Sequence, residues 1–154
     1  MATRLRKSPR LKDFDYVGPY AYSLTFVTRQ RSEVFQDASL VQLVELALLR
    51  ACAQHSFDLH AYCFMPDHLH VLVSGGADSR LTDFVRLFKQ LSGYAAKQKL
   101  SAPLWQISYY DHVLRREEDL AQVARYIWSN PVRAGLVDDF RQYPYAGPRP
   151  LLED

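Results

Sequence analysis

Two histidines set two residues apart in an apolar run, His68 and His70 in CFMPDHLHVLV (63–73), are the residues whose type and spacing first point to chemistry. Successive side chains of a strand alternate faces, so the two imidazoles share one face while Leu69, Val71 and Val73 share the other. Two imidazoles on one face make half of a metal site, although an ordinary surface strand explains this short stretch equally well. Further along, RYIWSN (125–130) sets a phenol, Tyr126, and an amide, Asn130, one helical turn apart on the shoulder of an apolar stripe, so that both face one point. Each has a plainer explanation taken singly: a half-buried helix tyrosine, and an asparagine that ends a helix before Pro131.

Taken together, the four residue types suit attack on a phosphodiester. A phenol with a pKa of about 10 is a poor nucleophile at neutral pH unless a nearby cation favours the phenolate. Two imidazole nitrogens and a side-chain carbonyl leave coordination positions open for phosphate oxygens and water. That donor mix suits Mg²⁺ or Mn²⁺ in use, although zinc would also bind. His112, in YYDHVLRRE, is a further residue for supporting the ligands or touching the substrate, an ordinary strand histidine being the plainer reading. His55 and His60 receive no role.

The charge balance is modest, with 19 Lys and Arg against 17 Asp and Glu, but it is unevenly spread. Arg4, Arg6, Lys7, Arg10 and Lys12 crowd the first twelve residues with no acid among them. Such a run suits contact with a polyanion or forms a solvated tail. The two cysteines, Cys52 and Cys63, lie in apolar patterns without CxxC spacing and read as reduced core residues. No apolar run reaches transmembrane length and the basic start lacks the apolar stretch of a secretory signal, so a cytoplasmic protein is expected.

Positioning these residues requires a set of elements that the hydrophobic periodicity supplies. The alternation in YAYSLTFVT (20–28) predicts a first strand with Tyr20, Tyr22, Leu24 and Phe26 on one side. A helix follows from Ala38 to about Gln54, then FDLHAYCF (57–64) and HLHVLV form a hairpin about a tight Met65-Pro66-Asp67 turn. A second helix over 81–99 buries Leu81, Phe84, Val85, Phe88, Leu91 and Ala95 and turns Arg86, Lys89 and Lys97 outward. A fourth strand is expected near 109–115 and a third helix over 116–130, with Glu117, Glu118 and Asp119 in its first turn and Pro131 ending it. From Val132 on, the chain should be mostly irregular. The order predicts an α+β, two-layer ferredoxin-like (RRM-like) sandwich: an antiparallel sheet with helices on one face and an added C-terminal helix.

With these elements in view, four stretches resemble the one-tyrosine HUH transposases, and most closely the REP-associated tyrosine transposases of bacteria. They are MPDHLHVLV, the basic helix DFVRLFKQLSGYAAK, the strand YYDHVLRREEDL and, above all, RYIWSNPVRAGLV. The resemblance implies a basic arm over 1–15, one catalytic domain over 16–146 and a tail over 147–154. It implies an enzyme that cuts single-stranded DNA through a 5′-phosphotyrosine and frees a 3′-hydroxyl, using Mg²⁺ or Mn²⁺. Within it His68 and His70 match the metal ligands, Tyr126 the nucleophile and Asn130 the polar third ligand; Tyr109 and Tyr110 rank below Tyr126. Arg4, Arg6, Lys7, Arg10, Arg86, Lys89 and Lys97 are the expected DNA contacts. The implied partners are hairpin-forming repetitive extragenic palindromes, with no membrane and a monomer or homodimer. Two other readings use the same residues: a non-catalytic single-strand binding module on this fold, and a metal-dependent hydrolase that activates water.

Overall fold

The computed structural model describes residues 14–115 and 118–153; Arg4, Arg6, Lys7, Arg10 and Glu117 lie outside them. Strand β1 (Ala21–Val27) keeps the expected alternation, with Tyr22, Leu24 and Phe26 fully buried and Ala21, Ser23 and Thr25 only partly covered. Tyr20, expected on the inward side, falls just before the strand and is exposed. Helix α1 (Ala38–Gln54) begins where the Asp37 carboxylate accepts from Ser39 N at 3.0 Å, and it buries Leu40, Val44, Leu48 and Ala51 along one stripe. Strands β2 (Phe57–Met65) and β3 (His68–Gly75) are joined by only Pro66 and Asp67, as the turn chemistry predicts.

Helix α2 (Leu81–Ala96) stops three residues before the expected Lys99, and its last buried positions are Ser92 and Ala96 rather than Leu91 and Ala95. A polar residue faces inward because it has partners there: Trp105 Nε1 donates to Ser92 Oγ at 2.8 Å, and Ser92 Oγ donates to the Phe88 carbonyl at 2.6 Å. Strand β4 is short, Tyr110–Val113. Helix α3 (Leu120–Trp128) starts later than expected because Asp119 caps it, accepting from Ala121 N at 2.8 Å, which leaves Glu118 ahead of the helix. Pro131 does not end the helical backbone at Asn130. It needs no N–H in a first turn, so the chain forms a short α4 (Asn130–Arg133) directly after Ser129.

The expectation of an irregular C-terminal part also needs correction. Strand β5 (Ala146–Gly147) pairs with β2 at Cys63 and Tyr62, and α5 (Arg149–Leu152) buries Leu152. A Cβ on Gly147 would lie 2.6 Å from Tyr62 Oη, so a larger residue here would force the Tyr62 ring to shift. The sheet runs β4-β1-β3-β2-β5 with every neighbour antiparallel and β3 at its centre. On one face Tyr22, Leu24, Phe26, Leu69, Val71 and Val73 form the main core with α1 and α2. On the other, Ala61, Cys63, Met65 and Leu72 pack under Ala124, Ile127 and Trp128 of α3. Trp128 Nε1 donates to the Gly147 carbonyl at 2.9 Å and ties α3 to β5.

The two-residue strand content missed by sequence reading thus anchors the helix that carries Tyr126. The Ser92 contact yields a first prediction. Ser92→Ala leaves Trp105 Nε1 buried without its acceptor and should lower unfolding free energy by about 1–3 kcal/mol, read from urea denaturation. An unchanged midpoint would show that Trp105 finds another partner.

Candidate active site

Strand β3 places His68 and His70 side by side at the centre of the sheet, with Leu69, Val71 and Val73 committed to the opposite core. The ring centroids lie 4.7 Å apart with the planes at 89°. His70 sits opposite Thr25 of β1 and Cys63 of β2; His68 sits opposite Val27 and Met65. Leu72, next on the same face, packs under α3, so the imidazoles and α3 occupy one side of the sheet in one chain.

Both rings are fixed through the same nitrogen. His68 Nδ1 lies 2.6 Å from Asp67 Oδ1, which can only accept from it, so the proton sits on Nδ1 and Nε2 carries the lone pair. His70 Nδ1 lies 3.1 Å from Thr25 Oγ1. No hydrogen bond reaches either Nε2 among the described residues. Asp67 is held in turn: Arg31 Nε donates to its Oδ2 at 3.0 Å, and Thr28 N donates to its carbonyl at 3.0 Å. Burial alone would raise the Asp67 carboxyl, but the hydrogen bonds from His68 and Arg31 outweigh it and hold the group below its usual range. Burial pushes His68 down as well, against the pull of Asp67. His70 is driven down to about 3, by burial first and then by the charges of His68 and Arg133. Its imidazole is therefore neutral at physiological pH, and in the tautomer whose Nδ1 donates to Thr25 Oγ1 the lone pair lies on Nε2.

Two oriented Nε2 atoms with a carboxylate behind one of them fit a divalent ion. Among the described residues no third His, Cys, Asp or Glu joins them, so further ligands must come from a neutral oxygen such as Asn130, from water or from substrate. Asn130 lies at the start of α4, partly buried, with Nδ2 donating to the Ile127 carbonyl at 3.0 Å and Oδ1 accepting from Arg133. Tyr126 is 65% exposed, further from the apolar stripe than its sequence position implied. Its ring lies against the Arg133 guanidinium, 3.9 Å from centroid to Cζ.

The rival tyrosines separate cleanly. Tyr109 is buried in the main core, stacked on Phe26 at 5.6 Å, whereas Tyr110 pairs with Thr25 and so stands on the histidine face. His112 shares that face opposite Ser23, 53% exposed, with Nε2 3.0 Å from Glu118 Oε1. The basic face of α2 is on the other side of the sheet. Arg86 is exposed near Asp83, Lys97 is exposed at the helix end, and Lys89 Nζ donates to the carbonyls of Gln106 and Ile107 at 3.0 and 2.9 Å. These three are not brought together with His68 and His70. Sequence reading passed over Asp67, Thr25, Arg31 and Arg133. Only Asp67 left a signal: an acid in a two-residue turn directly before the histidine pair.

The Asp67 contact generates a second prediction. Asp67→Asn keeps the shape of the turn but removes the carboxylate that orients His68, so Mn²⁺ affinity should fall roughly 10- to 100-fold in a titration of free Mn²⁺. Equal affinities for the two proteins would mean that Asp67 only braces the turn.

Comparison with known proteins places the chain among relatives of one family and fold. A Haemophilus influenzae protein provisionally named as a REP-associated tyrosine transposase is 26% identical over 148 residues, covering 88% of this chain and 82% of its own. The Escherichia coli K12 REP-associated tyrosine transposase is 22% identical over 107 residues, 68% of this chain and 62% of its own. Among solved structures, a REP-associated tyrosine transposase bound to a REP hairpin superimposes with a TM-score of 0.75 at 22% identity, over 92% of this chain and 82% of that one. A protein of Deinococcus radiodurans R1, provisionally named as a transposase, gives 0.57 at 27% identity, over 77% and 95%. The family is in general metal-dependent. The sequence model of that family, described as "Transposase IS200 like", matches residues 17–130, and the chain belongs to this transposase family.

Proposed function

We propose that this chain cuts and rejoins single-stranded, hairpin-forming DNA through a 5′-phosphotyrosine on Tyr126, with His68, His70 and Asn130 holding Mg²⁺ or Mn²⁺. The observation that carries this reading is that α3, bearing Tyr126 and running into Asn130, packs on the sheet face where both histidines present an open Nε2. The substrates are repetitive extragenic palindromes, as the relatives' names indicate. Among the described residues no helix is long and apolar enough to cross a membrane, and the chain acts on DNA in the bacterial cytoplasm as a monomer or homodimer.

The chemistry follows from the side chains present. Tyr126 Oη gives up its proton and bonds to phosphorus while the bond from phosphorus to the 3′ oxygen breaks; that oxygen takes a proton and leaves as a 3′-hydroxyl. The phosphotyrosine retains the energy of the broken linkage, so a second 3′-hydroxyl can displace the phenol and restore a phosphodiester without ATP. A bound divalent ion supplies Lewis-acid stabilisation of charge developing on the phosphate. His68 and His70 contribute neutral nitrogen donors, which preserves most of the ion's charge for that purpose. The exposure of Tyr126 suits a nucleophile that must meet a polymeric substrate.

The half of the histidine face not covered by α3 offers the single strand a path. Ser23, Thr25 and Tyr110 are partly exposed there and His112 is exposed, while Tyr110 supplies a ring on which a base can stack. Arg86 and Lys97, on the far side of the sheet, serve DNA that wraps past an edge, and Arg4, Arg6, Lys7 and Arg10 serve the flanking phosphates. Lys89 braces the Gln106–Ile107 loop and has the least freedom to join them.

A labelled hairpin oligonucleotide tests the reading. With divalent metal, the protein should carry the label through a denaturing gel, Tyr126→Phe should lose the adduct while still binding DNA, and Tyr110→Phe should keep it. Label mapped to Tyr110 would move the nucleophile to the sheet; cleavage without any adduct would make water the nucleophile and remove strand exchange.

A further inference from the structure

Arg133 lies one turn beyond Asn130, and its guanidinium touches each part of the α3 end that the proposed reaction uses. Its Cζ lies 3.9 Å from the centre of the Tyr126 ring. Nη1 donates to the Tyr126 carbonyl at 3.1 Å and to Ser129 Oγ, and Nη2 donates to Asn130 Oδ1. The Asn130 amide has no choice of orientation. Nδ2 faces the Ile127 carbonyl at 3.0 Å, which can only accept, and a guanidinium can only donate, so Oδ1 must face Arg133.

The oxygen assigned to the third metal position is thus already occupied by a cation. A carbonyl oxygen has two lone pairs, but a divalent ion and a guanidinium sharing it would sit within a few ångströms of each other and repel strongly. Either the ion binds without Asn130 or the guanidinium moves. Something of opposite charge can move it. Three of the five N–H groups of Arg133 are engaged, leaving two on an exposed side chain, and a planar guanidinium prefers the paired oxygens of a phosphate to a neutral amide.

Resting on the metal-dependent cleavage proposed above, we propose that Arg133 is a positioning residue that couples DNA to metal loading: it holds Asn130 Oδ1 until a DNA phosphate draws the guanidinium away. In the free protein the tyrosine and amide are kept in one fixed arrangement with the third ligand engaged. With DNA present the same arginine clamps the phosphate beside Tyr126, and Asn130 is released toward the histidines. Metal and DNA then bind with positive cooperativity, and by linkage each tightens the other by the same factor.

The test measures Mn²⁺ binding by the electron paramagnetic resonance signal of the free ion, in the Tyr126→Phe protein so that the oligonucleotide is not cut. Without DNA, Arg133→Gln and Arg133→Lys should both bind Mn²⁺ more tightly than the arginine protein, on the order of tenfold, because Asn130 is no longer held. Lysine keeps the charge but not the fork, so it separates the grip on Asn130 from simple repulsion. A hairpin-forming single-stranded oligonucleotide should raise Mn²⁺ affinity more in the arginine protein than in either variant, and adding Asn130→Ala should erase the effect of residue 133. Unchanged or weaker binding in both variants, with circular dichroism unaltered, would overturn the proposal, as would tight binding in Arg133→Gln alone. Mn²⁺ bound through the histidines but indifferent to residue 133 refutes only the role of Arg133. No Mn²⁺ binding by any of the proteins refutes the metal reading itself and this proposal with it.

Discussion

The register of one hairpin governs the site. Slipping β3 by a single residue against β2 would turn His68 and His70 into the core and bring Leu69 and Val71 to the open face. Two things prevent that slip. The connection is only Pro66 and Asp67, with Met65 paired directly to His68, and the main core claims Leu69, Val71 and Val73. Burying a Val or Leu side chain is worth about 1.5–3 kcal/mol, so three such residues on one strand make the alternative register untenable. The imidazoles take the face opposite the main core because their neighbours cannot, and both remain partly buried there.

Polar contacts then convert a face into a site. Asp67, fixed by the same turn, bonds His68 Nδ1, while Thr25 from the adjacent strand meets His70 Nδ1. Arg31 and Thr28 hold Asp67 from the loop after β1, and that loop pairs with the segment around Trp105, which Ser92 of α2 fastens. A chain of contacts therefore links the helical layer on one side to the orientation of an imidazole on the other. The second layer arrives by a different route: α3 covers the β2–β3 half of the histidine face and is tied to β5 through Trp128. Because α3 leaves the β1–β4 half open, a nucleic acid strand can approach the histidines along the sheet.

What was legible in the sequence was what periodicity encodes. The bounds of α1, the hairpin and the shared face of His68 and His70 follow from spacings of about 3.6 and 2. The errors arose where a single partner outweighs the period. Ser92 turns inward because Trp105 donates to it, and Asp119 captures the start of α3 from the acids before it. Pro131 predicts a stop, but in a first turn its missing N–H costs nothing, so Asn130 is helical. Strand β5 is only Ala146 and Gly147, too short for any pattern to announce, and its evidence is the close approach of Tyr62. The roles of Thr25, Arg31 and Arg133 depend on side chains from separate elements meeting, which no local spacing records.

The central claim is that His68 and His70 hold one divalent ion through Nε2 on the face that α3 shares. Pulsed electron paramagnetic resonance of the Mn²⁺-loaded protein reads nitrogen ligands directly, without reference to cleavage. The account predicts couplings from two imidazole nitrogens, reduced to one in His68→Ala and in His70→Ala with the fold intact. A spectrum with no nitrogen coupling, or one unchanged by either substitution, would contradict it.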